Sequence, residues 1–119
     1  MSWEVEYTDE FGAWFADLDL AAAKAVAAAV DLLEELGPHL GFPQSSTIET
    51  SRYAHMRELR VQHAGKPLRM LYAFDPRRAA ILLLGGDKTG DARWYEVHVP
   101  RADRLYADHL DTLKREGLI

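Results

Sequence analysis

The chain has 119 residues, 48% of them hydrophobic, and no cysteine; that is enough for one domain with its own core and excludes disulfides, thiolate chemistry and cysteine-held zinc. The formal net charge of −5 argues on average against a nucleic-acid partner. However, residues 1–51 hold ten acidic side chains and one basic one, whereas residues 52–104 hold eleven basic and six acidic, so an acidic N-terminal part precedes a basic module.

The start, MSWEVEYTDE, lacks the apolar segment of a signal peptide, and five charges interrupt the stretch Leu18 to Leu36. The expectation is a soluble, cytoplasmic protein with no membrane partner. Residues 3–7 alternate apolar and acidic and read as a strand. Thr8, followed by Asp9 and Glu10, reads as the cap of a helix bearing Phe11, Trp14 and Phe15 on one face. Those aromatics, with Trp3, are expected in the core. Asp19 caps a second helix through Val26, Val30, Leu33 and Leu36, stopped by Gly37-Pro38. Residues 38–52 read as a surface loop. Strands at 56–62, 68–74 and 79–84 follow, separated by short turns, and residues 101–114 read as a helix after a loop at 85–93. The fold class is α+β, an N-terminal strand and helical hairpin on a small antiparallel sheet, in the order β-α-α-β-β-β-α.

The loop GGDKTG superficially suggests a phosphate-binding P-loop, but Asp87 precedes Lys88 where that motif needs glycine. Alone, Lys88 would be a lysine on a solvated turn. It has company. If the turn is a two-residue loop at Ala64-Gly65, Arg60 lies directly across from Arg69, and like charges so paired repel unless an anion lies between them. Glu58 could supply that anion, and so could an RNA phosphate. Alternation places Arg57, Leu59 and Val61 on one face of their strand and Met56, Glu58, Arg60 and Gln62 on the other. His55 and His63 flank this strand as candidates for proton transfer, while His39, His98 and His109 read as loop or packing residues. No histidines and carboxylates fall at metal-ligand spacing. Trp94 and Tyr95, read as loop residues, are candidates for stacking on a base.

Together the Gly-Pro-x-Leu-Gly loop (Gly37 to Gly41), Arg-Glu-Leu-Arg (Arg57 to Arg60), Leu-Arg-x-Leu-Tyr (Leu68 to Tyr72) and Gly-Gly-Asp-Lys-Thr-Gly resemble the HigB-type, phage-derived branch of the RelE/ParE toxin superfamily. The likeness runs along nearly the whole chain. It implies a RelE-like α+β fold in a single domain and the toxin of a type II toxin–antitoxin system. The implied activity is ribosome-dependent mRNA cleavage without metal or cofactor, in which the RNA 2′-hydroxyl attacks the adjacent phosphate in line. Its implied partners are a cognate helix-turn-helix antitoxin, the ribosome and mRNA. Carried over by position, the resemblance makes Arg69 the phosphate and transition-state ligand, Lys88 the group at the leaving oxygen, Arg60 a neighbouring cation, and Trp94 or Tyr95 the stacking aromatic. Arg57, His55 and His63 complete the candidate substrate contacts. Some relatives carry two lysines where this chain has Met56 and Glu58, leaving His55 or Glu58 to act as base. The alternative is a non-catalytic toxin: a ParE-type gyrase inhibitor, or a degenerate toxin that only binds its antitoxin.

Overall fold

A computed structural model of the chain describes residues 2–119. The order is β1 (Val5–Tyr7), α1 (Asp9–Ala16), α2 (Leu20–Leu36), β2 (Ser45–Thr47), β3 (Arg57–His63), β4 (Lys66–Phe74), β5 (Ala80–Asp87) and α3 (Trp94–Arg115), with a short 3-10 turn at Gly37–His39. The α+β class holds, and the helix starts are those of the capping residues. Thr8 Oγ1 accepts from the Phe11 amide at 3.0 Å, and Asp19 accepts from the Ala22 amide at 2.8 Å. Thr8 also donates its hydroxyl to the Leu83 carbonyl at 2.6 Å, so one side chain starts α1 and fastens it to β5.

The five strands lie in the order β1-β5-β4-β3-β2. Three expectations need correction. The sheet is mixed, because β1 pairs with β5 in parallel, Val5 opposite Ala80. A strand, β2, lies within the expected loop. Its three residues are polar and show no alternation, and they are held by antiparallel pairing with β3 and by the bond between the Ser45 and Tyr72 hydroxyls at 2.7 Å. Finally, α3 begins at Trp94 and runs through Pro100. Burial of Trp94, Val99, Ala102 and Tyr106 outweighs the one backbone bond that a proline forfeits.

The sheet divides two cores. On one face Leu59, Val61, Met70, Tyr72 and Leu82 meet Phe11 of α1 and Val26 and Leu33 of α2, with Trp14 and Phe15 packed against them. On the other face Met56, Leu71, Ala73, Ile81 and Leu83 meet Trp94, Val99, Ala102 and Tyr106 of α3. Trp3 sets its ring edge-on to Phe74 at 6.1 Å, and a Cβ on Gly37, whose φ is +55°, would fall 2.5 Å from the same indole. Among the described residues, no helix is long and apolar enough to cross a membrane.

Both layers are tied where β4 ends. Asp75 is buried and accepts from Arg77 at 2.7 Å and from His109 of α3 at 2.8 Å, while Arg77 also reaches Glu6 of β1 at 2.8 Å. Burial alone would raise the Asp75 pKa, but the hydrogen bonds from Arg77 and His109 outweigh it and hold the carboxyl below its ordinary 3.8. A depressed folded pKa contributes stability that is complete above the unfolded value and disappears as pH falls through the folded one. Asp75→Asn is therefore expected to cost about 3 kcal/mol near neutrality, the scale for breaking a buried pair from one side. Urea denaturation of both proteins across pH should show that gap shrinking below 3.8; a gap independent of pH would remove the carboxylate's charge from the account.

Candidate active site

The other end of the sheet gathers the cations. Ala64 and Gly65 both have positive φ, +50° and +77°, the requirement of a two-residue hairpin turn matched to strand twist. That turn sets Arg60 opposite Arg69, and Arg69 opposite Gly86 of β5. The anion between the arginines is Glu58, 4% exposed. Its Oε2 lies 3.6 Å from Arg60 Nη1 and its Oε1 lies 3.7 Å from Arg69 Nε. Both are beyond a hydrogen bond. The short contacts of the carboxylate go instead to hydroxyls: Ser46 donates to Oε2 and Tyr95 to Oε1, each at 2.6 Å.

Arg69 is 5% exposed and donates from Nη1 to the Leu68 carbonyl at 2.9 Å. Its Nε is the one buried side-chain polar atom among the described residues that has no hydrogen-bond partner, a costly vacancy in a charged group. Arg69 nevertheless lines a cleft of about 270 Å³ with Pro43, Gln44, Arg60 and Gln62. The Arg60 guanidinium lies over the exposed ring of Phe42, 5.2 Å from its centroid.

The end of β5 completes the cluster. Gly85 and Gly86 belong to this strand rather than to a loop. A Cβ on Gly85 would run into the Trp14 ring on one face, and one on Gly86 would lie 2.8 Å from Trp94 Nε1 on the other. Beyond them Asp87 accepts from the Thr89 hydroxyl and amide, at 2.5 and 2.9 Å, and these bonds hold its carboxyl below the ordinary range. The Lys88 amide donates to the Pro67 carbonyl at 3.1 Å. Thus anchored, Lys88 holds Nζ 5.5 Å from the Tyr95 ring centroid, with no carboxylate at ion-pair distance among the described residues. The Tyr95 phenol is pushed upward, chiefly by burial and then by Glu58, with Arg69 opposing, so it is a neutral donor at physiological pH.

Arg60, Arg69, Lys88 and Tyr95 thus meet in one place, and the other candidates do not join them. Trp94 starts α3 with 2% exposure, stacked on His98 at 4.4 Å; it is the floor of the site and not a platform for a base. Arg57 points to the opposite face, where it donates to the Ser45 hydroxyl at 3.1 Å and the Leu40 carbonyl at 3.3 Å. His63 shares the alternation of Arg57 and lies beside Lys66, Trp14 and Asp17. His55 is at the far end, its Nε2 3.0 Å from the Tyr106 hydroxyl. That phenol is itself pushed up to about 12 by burial and by Asp75 and Tyr53. His98 packs on Trp94, as expected, whereas His109 is a hydrogen-bond partner of the buried Asp75 carboxylate. Ser46 carried no signal, because only the pairing of β2 with β3 brings it to Glu58.

Residues 13–107 match the family described as phage-derived protein Gp49-like (DUF891). The chain belongs to this family. It is 41% identical over 104 residues to a Mycobacterium tuberculosis protein named toxin HigB2, an alignment covering 86% of this chain and 52% of the relative, so the chain spans about half of that protein's length. It is 49% identical over 92 residues to toxin HigB3 of the same organism, covering 76% of this chain and 79% of the relative. In fold it is similar to the structure described as the archaeal RelE-RelB complex from Pyrococcus horikoshii OT3, with a TM-score of 0.55 at 14% identity, covering 77% of this chain and all of that one. The names of the two relatives agree with the HigB-type likeness of the sequence motifs, and the likeness to the RelE-RelB structure is one of fold.

In this Gp49-like chain the buried Trp94 indole carries the weight of the site's architecture. Trp94→Ala is expected to cost about 3–5 kcal/mol, as large truncations in a core do, measured by urea denaturation. A change within about 0.5 kcal/mol, typical of an exposed side chain, would instead return Trp94 to the surface.

Proposed function

We propose that this protein is the toxin of a type II toxin–antitoxin pair and a metal-independent endoribonuclease that cuts mRNA on the ribosome. The carrying observation is the buried Arg69, its Nε unpartnered, beside Arg60, Lys88 and a hydroxyl-bonded carboxylate. Such a group is set for a ligand with oxygens of its own, and a phosphodiester supplies them. The names of the HigB relatives support a toxin, and a protein inhibitor is the partner this reading expects. A helix-turn-helix antitoxin is the expected form.

In this reading the ribose 2′-oxygen attacks phosphorus as the bond to the 5′-oxygen breaks, leaving a cyclic phosphate and a 5′-hydroxyl. Arg69 and Arg60 stabilise the charge that grows on the phosphorane oxygens, the larger part of such catalysis when donors are fixed in advance. Lys88 gives a proton to the departing oxygen. Tyr95, beside Lys88 and Glu58, is the aromatic assigned to the substrate base.

Purified protein with programmed ribosomes should cleave mRNA, and Arg69→Ala and Lys88→Ala should each lower the rate by roughly 100-fold or more, the scale for losing one charge-stabilising group. Cleavage that persists in both variants would sink the residue roles. A folded wild type that cuts no RNA, with or without ribosomes, would leave the non-catalytic reading: gyrase inhibition or antitoxin binding alone.

A further inference from the structure

An apolar side chain that is exposed singly needs no explanation, but Phe42 stands on the rim of the cationic cleft. Its ring is 75% exposed, and the Arg60 guanidinium lies over it, 5.2 Å from the centroid. The next two residues, Pro43 and Gln44, line the cleft with Arg60, Gln62 and Arg69. The segment that carries the ring is fastened at both ends. Leu40 before it and Ser45 after it are buried. The Ser45 amide donates to the Gly41 carbonyl at 3.0 Å, and the Arg60 amide donates to the Gln44 carbonyl at 2.9 Å. The backbone is thus fixed against β3 while the ring stays in water with a cation against it. A flat π face held open beside a phosphate site is what a nucleobase stacks on. Burial of Trp94 leaves Tyr95 alone of the two expected aromatics in the cluster, whereas an RNA strand has a base on each side of the cut.

We propose that Phe42 is a base-stacking residue, holding the nucleobase immediately 5′ of the cut. This rests on the ribonuclease reading. Arg69 of β4 faces Gly86 of β5 on one side and Arg60 of β3 on the other. Lys88 follows β5, with Tyr95 against it. The groups therefore form a row: Lys88 and Tyr95, then Arg69, then Arg60, then Phe42. With the phosphate on Arg69 and its departing 5′-oxygen at Lys88, the 3′ nucleotide lies toward Tyr95. The 5′ nucleotide, which brings the attacking hydroxyl, lies toward Arg60 and Phe42. Stacking its base on Phe42 turns that base out of the strand and fixes the ribose that carries the hydroxyl. Every base has a π face, so the contact supplies affinity and register, with a firmer hold on the larger purines, rather than a strict sequence.

The test is steady-state cleavage of mRNA on programmed ribosomes by wild type, Phe42→Ala, Phe42→Leu and Phe42→Trp. A fluorescence measurement accompanies it. There the mRNA carries 2-aminopurine, whose emission falls when it stacks, immediately 5′ of the cut, on a 2′-deoxy sugar that removes the attacking hydroxyl. Phe42→Ala and Phe42→Leu are expected to raise KM roughly 10-fold or more, the scale of one base stack, with the smaller share of the loss in kcat. Phe42→Trp should keep the wild-type KM. Wild type should quench the probe, and Phe42→Ala should not. A leucine variant with the wild-type KM would make the contact a merely apolar one and overturn the assignment. An alanine variant with unchanged KM and unchanged quenching would overturn it as well while the ribonuclease reading stands, and would leave the exposed ring to a protein partner. A wild type without cleavage overturns the ribonuclease reading, and this assignment with it.

Discussion

Two tryptophans reach β5 from opposite faces at consecutive residues, which is possible only because those residues are Gly85 and Gly86. Side chains alternate across a strand, so each missing Cβ opens a slot toward a different layer. Trp14 fills one and settles α1; Trp94 fills the other and settles the first turn of α3. The next residue after Trp94 is Tyr95, whose hydroxyl then arrives at Glu58. The geometry of the cationic cluster is therefore set by packing two residues away from it. Interiors packed as tightly as crystals transmit such constraints without slack.

The charges in the cluster are held in an unequal balance. Arg60 and Arg69 share one carboxylate, which gives its closest contacts to neutral hydroxyls, while Lys88 lies over the Tyr95 ring. Burying a guanidinium without a full set of partners is expensive. At the opposite end, Asp75, Arg77, His109 and Glu6 satisfy one another at 2.7–2.8 Å. One end of the sheet is closed electrostatically and stabilises the layers; the other is left incomplete. The proposed RNA phosphate would supply the acceptor that the buried Arg69 Nε lacks.

The helical hairpin and the Arg60–Arg69 pairing were legible because they rest on local chemistry: caps at Thr8 and Asp19, and a turn that admits positive φ at Ala64 and Gly65. What escaped the sequence depends on partners distant along the chain. Residues 45–47 have no pattern of a strand and become one by pairing with β3. Gly85-Gly86 has the composition of a turn, but its reason is two indole rings from other elements. Pro100 hides the first turns of α3, and with them the burial of Trp94. At the site, charge and motif singled out Arg60, Arg69, Lys88 and Tyr95. Composition alone did not separate Arg57 and His63, which alternation turns to the other face, or His55, which lies at the far end.

The parallel pairing of β1 with β5 also governs the order in which this molecule can be made. The first strand has its partner 75 residues further along, a span measured by the Thr8–Leu83 bond. A nascent chain that has released β1, α1 and α2 has no sheet on which to lay their apolar faces until β3, β4 and β5 have followed. Contacts of long sequence separation are the slow ones to form. The helix that delivers Tyr95 comes later still. Arginines, lysine and phenol therefore converge only after α3 has followed β5, and a chain released as far as β4 carries none of the assembled cluster.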